Sequence, residues 1–198
     1  MDWRAVEEAL DPLPIFHEWL LEAEKSEPND PNAAALATAT GDGAPSVRMV
    51  LVKKVDEHGF CFYTNADSRK GCELKENPRA ALCFHWKSLR RQVRVEGPVV
   101  ELPAEDADRY FHSRSHMSQV GAAVSQQSRP LESRERLEEL VKQFGADHPG
   151  EVLRPEYWHG YSVVPERIEL WMDGEYRLHN RFLFVRKGGV WTRTRLFP

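Results

Sequence analysis

Between Ala33 and Asn65 the chain reads AAALATAT, GDGAP, SVRMVLVKKVD, EHG and FCFYTN. Apolar runs rich in Val, Phe and Tyr, separated by short Gly-, Asp- and Pro-containing breaks, predict three strands joined by tight turns. Asp42-Gly43 is the stronger hairpin signal and His58-Gly59 the weaker. Connections this short force antiparallel neighbours, because a parallel return needs a long crossover. The pattern continues. AALCFHW and RRQVRVEGPVVEL read as two further strands. After a helical middle come YSVVPERIELWM, YRLHNRFLFVRK and VWTRTRLF, with turns at Asp173-Gly174 and Gly188-Gly189. Strands on both sides of a helical middle predict a mainly β, α+β fold, an antiparallel barrel closed by distant segments. The expected count is seven or eight strands and four or five helices.

The helices follow from spacing. Ile15, Phe16, Trp19, Leu20 and Ala23 fall on one helical face behind Pro12 and Pro14, and a Pro-, Asn- and Asp-rich loop ends that helix. Ser68 caps RKGCELKEN, which stops before Pro78. A helix begins at Pro103 and runs to about Phe111, and MSQVGAAVSQQS is a small-residue helix or loop. In SRERLEELVKQF, Leu137, Leu140, Val141 and Phe144 are helically spaced. No repeat, low-complexity tract or second domain is indicated, so residues 1–198 read as one domain with a loose segment over 1–12.

Charge narrows the partners. The net charge is -4, but residues 1–35 hold nine acids and two bases, which leaves a slightly basic body. Such a body suits a small anion and lacks the basic excess of a nucleic-acid binder. No apolar run approaches the roughly 18 residues of a membrane helix. MDWRAVEEAL has no basic start followed by an apolar stretch, so no secretory signal is expected. Three cysteines at even spacing fit neither a disulfide framework nor a CxxC metal pair, and Cys61 and Cys83 read as buried thiols. A reduced, cytoplasmic setting follows as an expectation.

Common site signatures are missing: no GxGxxG or P-loop, no HExxH, no GxSxG, and eight scattered histidines without ligand spacing. No metal site or nucleophile triad is expected. Cations and amides inside strands stand out instead. Arg48 and Lys53 in RMVLVK point to opposite faces of a straight strand. They share a site only if the strand bulges or ends near Lys53, or if the site lies at a subunit seam; otherwise they are a solvated face. Tyr63-Thr64 followed by Ser68-Arg69-Lys70 places two cations at a helix start, an anion cradle or merely a capped surface helix. Gln92 offers an amide to a heterocycle, or is an exposed strand position. Tyr110, Arg114 and Ser118 are four apart, one face if helical, and offer three donors to an oxyanion or an ordinary polar face. Arg177, His179 and Arg181 share one face if YRLHNR is a strand, with Leu178, Asn180 and Phe182 on the other. Three such groups repel one another unless carboxylates or an anionic or electron-rich ligand lie between them. Trp171 adds a flat surface or belongs to the core.

Taken together, RMVLVK, FYTNADSRKGCEL, NPRAALCFHW, RRQVRVEG, YFHSRSHMSQ, SQQS, EYWHGY, IELW, RLHNR and RLFP resemble the pyridoxine (pyridoxamine) 5'-phosphate oxidase family, from about Leu13 to Pro198. The resemblance implies an FMN-binding split β-barrel and a homodimer with FMN at the subunit interface. It implies FMN contacts from Arg48, Met49, Val50, Leu51, Val52, Lys53, Tyr63, Thr64, Arg69, Lys70, Gln92, Gln127, Ser128, Trp171 and Arg181. It implies a substrate phosphate held by Lys53, Tyr110, Arg114 and Ser118, with Arg177, Leu178 and His179 at the substrate ring and Arg177 and His179 as catalytic residues. The implied reaction oxidises the C4' alcohol or amine of a phosphorylated B6 vitamer and reduces dioxygen to hydrogen peroxide. Arg177 would stabilise negative charge, and His179 would orient the substrate or handle a proton. Three departures stand out: Asn180 where the family has Asp, Ser115 where it has Pro, and Ala123 where it has Trp. The basic N-terminal segment of longer relatives is not seen. Two rival readings are a related flavin oxidase acting on a phenazine-type substrate and a non-catalytic FMN- or pyridoxal-phosphate-binding barrel.

Overall fold

The computed structural model describes residues 3–56 and 58–198; Glu57, in the second predicted turn, and residues 1 and 2, in the predicted loose segment, lie outside the described residues. The first strands are β1 (Ala33–Ala39), β2 (Pro45–Leu51), β3 (Lys54–Asp56) and β4 (Gly59–Asn65). β5 (Arg79–Trp86) and β6 (Arg91–Glu101) follow, then β7 (Trp158–Val163), β8 (Arg167–Met172), β9 (Asn180–Lys187) and β10 (Val190–Leu196). The helices are α1 (Trp3–Glu8), α2 (Pro12–Ser26), α3 (Arg69–Glu76), α4 (Ala104–Ser113), α5 (His116–Val124) and α6 (Arg134–Asp147).

Every strand pair is antiparallel, as the short turns require. The main path runs β10-β9-β8-β6-β5-β1-β2. β7 pairs with β4 and with the far end of β6, and β3 pairs with β4. A barrel curls from β2 through β1, β5, β6 and β7 to β4, and β8, β9 and β10 extend from the first half of β6 as an outer sheet.

Two predicted strands are each broken in two, which raises the count above expectation. SVRMVLVKKVD stops at Leu51 and resumes at Lys54. YSVVPERIELWM breaks around Pro165, which has no N–H to give the ladder. Val164 N and Glu166 N still donate to Pro98 O and Glu96 O at 2.9 Å each, so the chain stays on one edge of β6 across the break. This corner presses on β6: a Cβ at Gly97 would sit 1.9 Å from Val164 O.

α2 closes one end of the barrel. Asp11 caps it, accepting from Leu13 N at 2.9 Å. Its buried face carries Ile15, Phe16, Trp19 and Ala23. Phe16 meets Phe60 and Phe84 edge-on, with ring centroids 5.0 and 5.1 Å apart. A second cluster (Ala107, Phe111, Val120, Val152, Trp158) lies under α4 and α5. The predicted spacing of α6 holds, yet Leu137, Leu140, Val141 and Phe144 are only half-buried. Cys61 is buried, while Cys83 is only half-buried and Cys72 is exposed.

The expectation of a loose segment over 1–12 is corrected. Residues 3–8 form α1, with Val6 fully buried. Glu7 pairs with Arg195 at 2.7 Å, and Arg193 Nη1 donates to Ala9 O at 2.9 Å. The partners are nearly the whole chain away in sequence, so local periodicity could not reveal them. Among the described residues no helix is long and apolar enough to cross a membrane.

Candidate functional site

A cleft of about 730 Å³ opens beside β2, β4, α3, α4 and α5. Of the residues expected at a site, Met49, Val50, Leu51, Lys53, Tyr63, Thr64, Lys70, Tyr110, Arg114, Ser118 and Gln127 line it. Lys53 keeps the alternation of β2 past its end at Leu51: it lines the cleft with Met49 and Leu51, while Arg48 lies on the other side and Val52 between them is buried.

The cleft floor is the N-terminus of α3. Ser68 caps that helix, accepting from Gly71 N at 3.4 Å. Lys70 Nζ donates to Gln127 Oε1 at 2.7 Å, Thr64 Oγ1 at 3.0 Å and Ser68 Oγ at 3.1 Å. All three acceptors are neutral, and Lys70 as a whole is 8% exposed. Burial, aided by repulsion from Arg48, lowers its pKa to about 8. Ser128 Oγ accepts from Arg69 N at 3.2 Å, so the segment after α5 is stitched to the same helix start.

The cleft wall is aromatic. Tyr63 stacks on Tyr110 at 4.2 Å and on Trp158 at 5.4 Å. The Arg114 guanidinium lies 5.3 Å from the Trp158 ring centroid, and its Nη1 is buried without a hydrogen-bond partner. Burial lowers the pKa of Arg114. The reading of Tyr110, Arg114 and Ser118 as one helical face is corrected. α4 ends at Ser113, Arg114 is extended (φ -79, ψ 156), and Ser115 starts α5 as its cap. The three side chains still converge, across a bend between two helices.

Arg48 does not line the cleft. It donates to Leu36 O at 3.2 Å and pairs with Glu73 at 3.2 Å, with Thr38 and Ser46 hydroxyls beside it. Burial would raise the Glu73 carboxyl, but hydrogen bonds from Ser46, Thr38, Arg69 and Arg48 override it and hold the pKa at about 2. Val52, 5% exposed, lies in the core.

The other candidates sit on the outer sheet. His85, Gln92, Trp171, Arg181 and Leu196 form one row of cross-strand partners over β5, β6, β8, β9 and β10. The reading of YRLHNR as a strand is corrected. Glu175–Arg177 is a 3-10 turn, Tyr176 and Arg177 adopt left-handed backbone (φ 54 and 64), and β9 begins only at Asn180. Arg177, His179 and Arg181 therefore do not alternate on one strand face. Arg177 and Leu178 are exposed, while half-buried His179 turns back against Trp171, ring centroids 4.7 Å apart. A Cβ at Gly174 would lie 2.2 Å from Leu178 O, which is how tightly this loop closes. The expected repulsion along this segment is met by carboxylates: Glu169 takes Arg181 Nε at 2.8 Å and also pairs with Arg94.

Sequence reasoning missed Ser115, Ser125, Asn65 and Trp158 at the cleft. Trp158 had a signal, as the first residue of a strand that brings it opposite Asn65; the small residues of α5 had none. It also missed the buried carboxylates Glu73 and Glu169. Among the described residues no group of three or more His, Cys, Asp or Glu could hold a metal ion.

Comparison with known proteins agrees with this architecture. Residues 20–152 match a family model described as pyridoxamine 5'-phosphate oxidase. Residues 158–198 match one described as the pyridoxine 5'-phosphate oxidase C-terminal dimerisation region. The pyridoxine/pyridoxamine 5'-phosphate oxidase of Gluconobacter oxydans is 57% identical over 189 residues, covering 95% of this chain and 94% of the relative. That of Rhodospirillum rubrum is 57% identical over 194 residues, covering 95% and 96%. Among solved structures, PhzG from Burkholderia lata in complex with tetrahydrophenazine-1-carboxylic acid superposes with a TM-score of 0.94 at 31% identity, covering 100% of this chain and 98% of that one. A pyridoxamine 5'-phosphate oxidase-related, FMN binding protein from Nostoc punctiforme shares the fold (TM-score 0.79, 16% identity, 96% and 100% covered). Two family models spanning the barrel and the outer sheet, and relatives this similar over nearly their full length, place the chain in the pyridoxamine 5'-phosphate oxidase family.

Proposed function

We propose that this chain oxidises pyridoxine 5'-phosphate or pyridoxamine 5'-phosphate to pyridoxal 5'-phosphate, using FMN and dioxygen. One observation carries the reading: two cations line one cleft, buried Lys70 and half-buried Arg114 with its Nη1 buried and unpartnered, and neither has a carboxylate partner among the described residues. A buried charge without a counter-charge is costly, and two phosphorylated ligands would supply one anion for each.

The donor set fits FMN. Lys70, Thr64, the start of α3 and the Gln127–Ser128 segment would hold the phosphate, with Arg69 beside them. Backbone and side chains of Met49, Val50, Leu51 and Lys53 would border the ring, and Gln92, Trp171 and Arg181 would meet it from an outer-sheet row. The cleft and that row are separate surfaces of one chain, so a homodimer would bring the row of one subunit to the cleft of its partner. The match of residues 158–198 to a dimerisation region supports this. The chemistry that bound FMN supplies is two-electron oxidation of the C4' carbon at the expense of dioxygen.

The chain's own residues bind and orient. Arg114, Tyr110, Ser118 and Lys53 would hold the substrate phosphate, Arg114 by charge-assisted hydrogen bonds. Arg177, Leu178 and His179 would cover the substrate ring, with Arg177 offsetting negative charge near C4' and His179 Nε2 placed to orient the substrate or move a proton.

Anaerobic mixing of the FMN-loaded protein with each phosphorylated vitamer is the test. Bleaching of the flavin, with pyridoxal 5'-phosphate formed once air is admitted, is expected. The close superposition on PhzG motivates the second reading, a phenazine-type substrate. Flavin that stays oxidised with both vitamers but bleaches with a dihydrophenazine carboxylate would favour it.

A further inference from the structure

Asp173 entered the sequence reading only as a turn residue, and the structure gives it a second connection. Its backbone N donates to Arg90 O at 3.1 Å, which extends the β6–β8 ladder one rung past Arg91–Met172. Its carboxylate pairs with the Arg90 guanidinium. The opposite carboxylate oxygen, Oδ1, lies 3.0 Å from His179 Nδ1, and both side chains are largely covered (18% and 21% exposed). The loop between them is exposed and passes through two left-handed residues, whereas Asp173 is anchored to the sheet.

A second group competes for the same nitrogen. Gly174 N–H points at His179 Nδ1 from 3.1 Å. A backbone N–H can only donate and needs a lone pair on Nδ1, whereas a carboxylate can only accept and needs a proton there. One nitrogen cannot satisfy both at once. The carboxylate makes the stronger, charge-assisted bond, and Arg90 holds it in place.

We propose that Asp173 is a positioning residue for His179. It accepts a hydrogen bond from Nδ1–H, sets the tautomer and leaves Nε2, on the far side of the ring, as the open nitrogen. This rests on the reading of His179 as a residue of the oxidase site. Trp171 supports the ring from one side, so the imidazole is located by a carboxylate, an aromatic plane and a tight loop.

The proposal makes a spectroscopic prediction that does not depend on turnover. In FMN-loaded protein labelled with 15N-histidine, long-range 1H–15N correlations report which nitrogen carries the proton. His179→Asn identifies the His179 signals among those of the eight histidines. In the wild type His179 is expected as the Nδ1–H form. In Asp173→Ala the Gly174 N–H is left as the neighbour, and the ring is expected to switch to Nε2–H. Asp173→Asn keeps an acceptor oxygen and is expected to retain the wild-type form, which guards against a misfolded alanine variant. In steady-state assays Asp173→Ala should lose roughly tenfold or more in kcat, with KM and the FMN Kd within about twofold, because misorientation costs rate more than binding. A His179 tautomer identical in wild type and Asp173→Ala overturns the proposal whatever the kinetics. Should His179→Asn oxidise substrate at the wild-type rate while the tautomer switch is seen, Asp173 positions the ring and the oxidase-site reading of His179 fails instead.

Discussion

The cleft beside α3, α4 and α5 and the outer face of β6, β8 and β9 carry the same kinds of side chains in opposite electrostatic states. In the cleft, Lys70 is buried and Arg114 half-buried, and neither meets a carboxylate among the described residues. On the outer sheet cations meet carboxylates: Arg94 and Arg181 share Glu169, Arg90 takes Asp173, and Arg195 takes Glu7. A cleft whose cations lack carboxylate partners draws anions, so the proposed phosphates would sit there. A face whose cations are paired offers flat rings and amides, so it suits the uncharged part of a ligand. Arg48 belongs with the paired set although its strand borders the cleft, because it meets Glu73, which also takes Arg69.

The largest expected effect comes from unbalancing that last pair. Glu73→Ala leaves Arg48, and the hydroxyls of Thr38 and Ser46, facing an empty site. Breaking a buried pair by removing one partner costs about 3–5 kcal/mol, which for a chain of this size lowers Tm by roughly 10 °C. Thermal and urea melts measure it. The acid limb should change too. The folded pKa of about 2 lies below the ordinary 4.5, so Glu73's contribution is complete above the unfolded value and is lost as pH falls from there toward 2. The variant should lack that part of the slope. A loss under about 1 kcal/mol would mean the cluster is no more than a surface pair.

Next in size is the removal of an unbalanced cation. Arg114→Ala should raise KM for pyridoxamine 5'-phosphate about a hundredfold, the worth of a charged hydrogen bond near 2–3 kcal/mol. Unphosphorylated pyridoxamine should be oxidised equally poorly by both proteins, and the FMN Kd should stay within about twofold. If KM rises equally for both substrates, Arg114 acts through the cleft's shape, and the electrostatic contrast with the outer sheet fails on that side.

Lys70 supplies a third, pH-dependent effect. Its ammonium is lowered to about 8 by burial, so in the FMN-free protein it becomes neutral as pH rises through 8. A phosphate binds the charged form. FMN affinity should therefore weaken above pH 8, by at most about tenfold per unit, and Lys70→Met should flatten that limb. Stability runs the other way. The unfolded chain keeps the proton up to about 10.5, so Lys70 makes the FMN-free fold more stable as pH rises between these values. Fluorescence titrations across pH 7–9 check the first sign and urea melts the second.

Which parts were legible in the sequence follows from the range of the forces involved. Hairpin turns are local, so the antiparallel order was readable from Asp42-Gly43 and Gly188-Gly189, whose glycines take positive φ (91, 56 and 84). The Ser68 cap was readable because a cap is a contact within one turn. The 177–181 segment misled because alternation assumes extended backbone, and Tyr176 and Arg177 leave it for the left-handed region, uncommon for side chains of that size. Tyr110, Arg114 and Ser118 converge although the helix assumed for them ends between the first two, since a bend replaces the turn that spacing supposed. α1 and the partners of Arg48 depend on contacts between distant segments, and no window of the sequence contains them.

The smallest expected effect concerns Asn180, where the family pattern has Asp. Its Oδ1 accepts from Arg195 Nη1 at 3.0 Å in an exposed setting, and Arg195 is already paired with Glu7. Asn180→Asp turns a neutral hydrogen bond into a second ion pair on one guanidinium. Exposed pairs contribute about 0.2–1 kcal/mol, so Tm should rise by no more than about 3 °C, and the gain should shrink as salt screens the pair. Asn180 lies in β9 opposite Met172, next to the loop that carries His179. If the pairing on the outer sheet is sufficient without this carboxylate, kcat and the His179 tautomer should not move. A kcat change beyond about threefold in Asn180→Asp would show that this face is sensitive to a single charge, and that Asp173 and residue 180 act on His179 together.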